Sequence, residues 1–142
     1  MIDTLIRKWE GCRLVAYKCS AGKWTIGWGS TNYADGKSVR EGDEISQDLA
    51  DALLINYIQK NIYPVFDKIP YKLTEDQKGA IASLCYNVGV PAFLKSKCFK
   101  AICEKDYGSI VKNWDWNKAN GKVIKGLVKR RIEELYNFTK DI

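Results

Sequence analysis

The sequence predicts an α+β protein, mostly helical, with a small β lobe and a larger helical lobe joined by a long helix. Three observations carry this. Turn-rich, strand-like chain is confined to the first 45 residues. A sustained four-residue apolar periodicity starts at Ser46, and nearly every later apolar cluster is helically spaced. At 142 residues the chain fits one domain large enough to bury a genuine core. The expected parts of that single domain, residues 1–142, are a lobe over 1–45, a connecting helix over 46–66 and a helical lobe over 67–142.

Asp3 can cap a short helix whose apolar face is Leu5, Ile6 and Trp9, with Gly11 as its stop. Cys12 to Tyr17 and Trp24 to Trp28 read as a hairpin around Lys18 to Lys23. In the long helix, Leu49, Leu53 and Tyr57 share a stripe with Ala50, Leu54 and Ile58, and the pattern ends near Pro64. Thr74 with Gln77 forms a capping box that opens a nearly all-apolar helix through Ile81, Ala82, Leu84 and Cys85, the expected core of the second lobe. Helical pieces follow after Ser96, with Ile102, Ile110, Trp114 and Trp116. A last helix runs from about Val123 to Phe138. On its wheel Val128, Ile132 and Leu135 face inward, Arg131 borders that face and Arg130 points away. There is no internal repeat or low-complexity tract.

Composition removes whole classes of chemistry. The chain has no histidine, which argues against Ser-His-Asp and Cys-His hydrolases and most zinc sites. Carboxylate chemistry remains, and glycoside hydrolysis needs neither histidine, metal nor cofactor. The five cysteines (Cys12, Cys19, Cys85, Cys98, Cys103) show no zinc spacing, and an odd number cannot all pair within one chain. Reduced thiols are expected, with Cys85 buried as a small hydrophobe.

The net charge of +6 is uneven: residues 95–142 carry 12 Lys and Arg against 6 Asp and Glu, while the first 94 residues carry 11 of each sign. A basic face suits an anionic polymer, whether bacterial wall material or nucleic acid, or is simply a solvated surface. No nucleic-acid reading motif is present, so a nucleic-acid partner is not expected.

Glu10 is followed nine residues later by Cys19 and fifteen later by Thr25. A lone acid at the end of a short helix thus precedes a thiol and a hydroxyl on either side of a glycine-containing turn. At that negative helix end the dipole disfavours the carboxylate and favours the protonated form that a general acid needs. Each residue alone is ordinary: a solvated glutamate, a β-forming threonine, turn glycines. The joint pattern is far more specific.

The run Glu10-Gly11-Cys12-Arg13-Leu14-Val15-Ala16-Tyr17 and the run Thr25-Ile26-Gly27-Trp28-Gly29 resemble the active-site signature of the phage-type lysozymes (endolysins, glycoside hydrolase family 24). The resemblance extends through Tyr86-Asn87-Val88-Gly89, Phe93 to Ser96, and Gly126-Leu127-Val128-Lys129-Arg130-Arg131 with Glu134, and so covers nearly the whole chain. It implies a lysozyme-like two-lobed fold. It further implies cleavage of the β-1,4 bond between N-acetylmuramic acid and N-acetylglucosamine in peptidoglycan, with inversion. By position Glu10 is the acid, while Cys19 and Thr25 hold the water on the opposite face of the sugar. The family also places an amide at Asn87, lines its cleft with Tyr17 and Gly29, and pairs an arginine with the catalytic glutamate, for which Arg131 is the choice. Tyr17 as a strand core residue and Asn87 as a helix cap are the structural alternatives.

Two positions depart from the commoner pattern. Cys19 stands where aspartate is more frequent, and a thiol with a pKa near about 8.5 is mostly neutral at pH 7 unless its surroundings lower that value. Lys18 and Lys23 are the expected source of such lowering. Ser30 stands where some members carry a histidine in a structural ion pair. Some relatives with a catalytic cysteine use a disulfide as an inactivating cage. A Cys12 to Cys19 bond would need the intervening strand to refold; the alternative is that Cys12 is a packed thiol.

The expected partner is bacterial peptidoglycan, attacked by a monomer. With no apolar run of about 18 residues and no secretory core, the protein is expected in the host cytoplasm until a holin-type membrane partner releases it to the wall. Relatives can instead carry an amino-terminal anchor. The competing readings are a catalytically impaired protein that only holds wall glycan, and a lytic transglycosylase, which leaves anhydro-sugar ends.

Overall fold

A computed structural model describes residues 1–142. The chain forms two compact units, residues 6–60 and residues 1–5 with 61–142. Helix α1 (Thr4–Glu10) buries Leu5 and Ile6. It stops at Gly11, whose N–H still bonds to the Arg7 carbonyl at 3.3 Å.

In the unit of residues 6–60, strands β1 (Arg13–Lys18) and β2 (Trp24–Gly27) form the expected antiparallel hairpin, with Tyr17 opposite Thr25 and Lys18 opposite Trp24. Arg13 is opposite Gly27, so four steps along β1 match two along β2 between the two ends, and β1 bulges. The outer edge of β1 is paired by the chain at 43–45, where Ala16 N–H bonds to Asp43 O and Ile45 N–H to Leu14 O, both at 2.9 Å.

Helix α2 (Gln47–Tyr57) is capped by Ser46, whose hydroxyl accepts from Leu49 N–H at 3.1 Å. It buries Ala50, Leu53 and Leu54 and leaves Leu49 exposed. Its contact with β2 requires a missing side chain: a Cβ on Gly27 would lie 3.3 Å from the Ala50 Cβ. The helical run does not end at Pro64. A wider π turn over Ile58–Ile62 leads into α3 (Tyr63–Asp67), where Pro64 occupies the first turn and its missing N–H costs nothing.

In the other unit, α4 (Glu75–Val88) opens with the expected reciprocal capping box: Gln77 N–H to Thr74 Oγ1 at 3.1 Å, and Thr74 N–H to Gln77 Oε1 at 3.0 Å. Residues Gly79 to Cys85 are all buried, so this helix is the unit's centre. It is followed by α5 (Val90–Leu94), α6 (Lys97–Glu104) and α7 (Tyr107–Asn113), with Ser96 capping α6 and Asp106 capping α7. A second, two-residue hairpin, β3 (Lys118–Ala119) with β4 (Lys122–Val123), was not expected; its turn is Asn120-Gly121, both with positive φ, the pair such turns prefer.

Helix α8 (Lys125–Thr139) packs along α4, and here the sequence expectation is corrected. Its inner face is Arg130, Arg131, Glu134 and Phe138, all buried, whereas Ile132 is 63% exposed. Hydropathy around the wheel does not register that the Glu134 carboxylate pairs with both guanidinium groups. All five cysteines are free thiols, with Cys85 and Cys98 buried.

Candidate active site

Glu10 is the last residue of α1, and Gly11 and Cys12 lead directly into β1. The hairpin turn then sets Cys19. Its main chain is locked on both sides, with Cys19 N–H bonded to Lys23 O and Gly22 N–H to Cys19 O, each at 2.9 Å. Gly22 has φ +79°, a conformation that suits glycine.

The Cys19 pKa is lowered from the ordinary thiol value, first by the backbone N–H of Lys23 and then by that of Ala21, against the cost of burial, with the Thr25 hydroxyl a lesser contributor in the lowering direction. The expected source was the ammonium charge of Lys18 and Lys23. Instead the leading contribution is the Lys23 main chain, and Lys18 places its Nζ over the Trp24 ring, 5.5 Å from the centroid. Thr25 is buried, and its hydroxyl donates to Lys23 O at 3.0 Å.

Tyr17 ties the acid to this group. It is half-buried across the hairpin from Thr25, and its phenol pKa is raised, first by burial and then by the charge of Glu10, with Cys19 contributing in the same direction. The Arg13 guanidinium stacks over the ring, 4.6 Å from its centroid, and works the other way. Glu10 and Cys19 thus both act on the Tyr17 phenol, and Tyr17 is opposite Thr25, all within one unit. Gly29 lies in the loop beyond β2, closed by a reciprocal pair of bonds between Ile26 and Ser30 at 2.8 Å.

A hub not anticipated from the sequence braces this group. Asp51 on α2 accepts from Arg7 Nη1 at 3.0 Å, Trp28 Nε1 at 2.8 Å and Gln47 Nε2 at 3.0 Å. Its pKa is lowered, chiefly by the Trp28 indole and then by the Gln47 amide. The Arg7 guanidinium also lies over the Trp28 ring, 4.9 Å from the centroid. Asp51 thereby joins α1, which ends in Glu10, to α2 and to the loop after β2. Nothing in the sequence links Arg7 to a residue 44 positions away, so no local signal identifies the hub. Cys12 sits beside it, its sulfur 3.6 Å from Gln47 Nε2.

Asn87 and Arg131 belong to the other unit and are joined to each other. Asn87, exposed near the end of α4, accepts from Arg131 Nη1 at 2.9 Å. Arg131 is buried, with Nη2 donating to Glu134 Oε2 at 3.0 Å and Nε 2.7 Å from Glu134 Oε1. No group of three or more His, Cys, Asp or Glu side chains is placed to hold a metal ion, and no helix is long and apolar enough to cross a membrane.

The chain is similar to known proteins over most of its length. The phage lysozyme family model matches residues 7–134. An endolysin of Acyrthosiphon pisum secondary endosymbiont phage 1 is 39% identical over 135 residues, covering 92% of this chain and 89% of that protein. Among solved structures, an endolysin from Escherichia coli O157:H7 phage FAHEc1 superposes with a TM-score of 0.85 at 29% identity, covering 99% of this chain and 91% of that one. A P22 lysozyme mutant gives a TM-score of 0.75 at 31% identity, covering 94% and 92%. With the family model spanning most of the chain, including Glu10, Cys19 and Thr25, the protein belongs to the phage lysozyme family.

Proposed function

We propose that this protein is an endolysin that hydrolyses the β-1,4 bond between N-acetylmuramic acid and N-acetylglucosamine in peptidoglycan, with inversion, to lyse a bacterial host. The observation that carries the proposal is the hairpin turn that favours a Cys19 thiolate beside the Thr25 hydroxyl, on the same strand pair that sets Tyr17 in the field of Glu10.

In this reading Glu10 protonates the glycosidic oxygen as the C–O bond breaks and charge develops on the anomeric carbon. Thr25 and Cys19 hold a water on the opposite face. The water adds to that carbon and passes its proton to the Cys19 thiolate, leaving Glu10 ionised; proton exchange with solvent restores both. Cysteine can take the place of a carboxylate here because the backbone N–H groups of Lys23 and Ala21 supply the stabilisation a bare thiol lacks. Tyr17 and Gly29 contact the glycan from their unit, and Asn87 is a glycan-binding residue of the other. A holin-type partner gives access to the wall, and the protein acts as a monomer.

The test is digestion of purified peptidoglycan by the wild type and by Glu10→Gln, with product ends identified by mass spectrometry. Reducing N-acetylmuramic acid ends from the wild type alone are expected. Reducing N-acetylglucosamine ends place the cut at the other glycosidic bond, and anhydro-sugar ends make it a transglycosylase.

A further inference from the structure

Glu134 is wholly buried, has no part in the mechanism above, and collects several donors. Arg131 straddles its carboxylate. Trp114 Nε1 donates to Oε1 at 3.2 Å, while Ser83 Oγ at 2.5 Å and Arg130 Nε at 3.2 Å donate to Oε2. Ser83 also accepts from Arg130 Nε at 3.2 Å, and its carbonyl takes Arg130 Nη2 at 3.0 Å. Arg131 donates from Nη2 to Glu134 Oε2 at 3.0 Å and is ion-paired to it, with Nε 2.7 Å from Oε1 but not in hydrogen-bonding geometry, while Nη1 reaches Asn87 Oδ1 at 2.9 Å and Trp116 O at 3.3 Å.

The consequence lies at Asn87. An amide presents an acceptor on one side and two donors on the other, and which side faces outward is normally free to exchange. A guanidinium only donates, so the Asn87 atom that meets Arg131 must be the carbonyl oxygen. The amide nitrogen is then turned away from Arg131, on an exposed residue.

We infer that Glu134 is a positioning residue: by locking Arg131 it fixes the polarity of Asn87, so that Asn87 offers N–H donors to the glycan and takes an acceptor oxygen, such as an acetamido carbonyl, on the sugar. The inference rests on the reading of Asn87 as a glycan-binding residue. Asn87→Asp is the sharpest probe of the substrate half. It keeps the shape and strengthens the pairing with Arg131 but presents no donor.

Two measurements test the inference separately. The first is the order of the Asn87 side-chain amide by ¹⁵N relaxation in the wild type, Glu134→Gln, Arg131→Lys and Trp114→Phe. In the wild type the amide is expected to be as ordered as rigid backbone, about 0.85, falling below about 0.6 when Glu134 or Arg131 is changed. Trp114→Phe removes a donor to Glu134 but leaves Arg131 held, and keeps the amide ordered even if stability drops. Arg131→Lys serves where Glu134→Gln fails to fold. The second measurement is steady-state hydrolysis of peptidoglycan, where Asn87→Asp and Asn87→Ala are both expected to raise KM about ten-fold, the worth of one hydrogen bond, and more than they lower kcat. An amide as ordered in Glu134→Gln and Arg131→Lys as in the wild type overturns the positioning role while the hydrolase stands. Wild-type KM in Asn87→Asp overturns the donor assignment, and a wild-type protein that releases no sugar ends overturns the hydrolase reading itself.

Discussion

Replacing Gly27 by alanine tests whether the seat of β2 on α2 is as tight as the structure shows, and the effect can be sized from two terms. Gly27 has φ +65°, where an L side chain costs about 1–2 kcal/mol. The new Cβ would also meet the Ala50 Cβ at 3.3 Å and the Ala50 Cα at 3.5 Å, groups that cannot swing aside, which adds about 1 kcal/mol of overpacking. The control is Gly22→Ala, where φ is +79° but the space around the Cβ is open. Any gain from reduced chain entropy is shared by both variants and cancels in the comparison. Gly27→Ala is therefore expected to be about 1 kcal/mol less stable than Gly22→Ala, or about 2–4 °C lower in melting temperature for a chain of this size. Urea titrations of both variants, compared at matched m-values, provide the assay. A Gly27→Ala protein no less stable than Gly22→Ala would refute the packing argument.

Glu10→Gln is expected to keep the wild-type circular dichroism and melting temperature while losing about 10²–10⁴-fold in wall lysis, since an amide cannot donate the proton; activity within a few-fold of wild type removes Glu10 as the acid. Cys19→Asp is expected to stay active and resist thiol alkylation, whereas Cys19→Ala loses most of its rate; unchanged activity after alkylating the wild type excludes Cys19. Because the Cys19 pKa is lowered from 9.0, its thiolate, and with it the alkylation rate, should rise through a pH below 9.0, and the stabilisation it gives the fold is lost as pH falls through that lowered value. Burial pushes the Cys98 thiol up to about 12 and raises Cys85 further still, so both should stay unmodified in the folded protein. The Cys12 to Cys19 disulfide is not expected to form in the folded protein. The two residues lie at opposite ends of β1, which is paired on both edges, and six strand residues span roughly 20 Å. Peptide mapping of mildly oxidised protein that finds this bond without loss of the hairpin would contradict that.

What the sequence revealed and what it hid divide along a physical line. The hairpin, the Thr74–Gln77 box, the start of the long helix at Ser46 and the apolar run through Leu84 and Cys85 are local signals: short-range periodicity, a side chain reaching three residues along, a turn glycine. The Asn120-Gly121 turn is equally local, but flanking strands of two residues are too short to carry an alternating pattern. The inner face of α8 was hidden for another reason. Arg130, Arg131 and Glu134 look like surface residues until Ser83, Asn87 and Trp114, contributed from elsewhere in the sequence, supply their partners. The Asp51 hub is of the same kind. The sequence points to the ammonium charges of Lys18 and Lys23 beside Cys19, whereas the leading contributions come from the main-chain N–H groups of Lys23 and Ala21, because a backbone N–H in a turn has no letter in the sequence.

The central claim is that Glu10 and Cys19 act together to hydrolyse a wall glycan, and the most direct measurement is mass spectrometry of purified peptidoglycan digested in water enriched in ¹⁸O by the wild type, Glu10→Gln and Cys19→Ala. The account predicts new N-acetylmuramic acid reducing ends carrying one ¹⁸O from the wild type and almost none from either variant. Anhydro-sugar ends without label, or labelled ends released equally by Glu10→Gln, would contradict it.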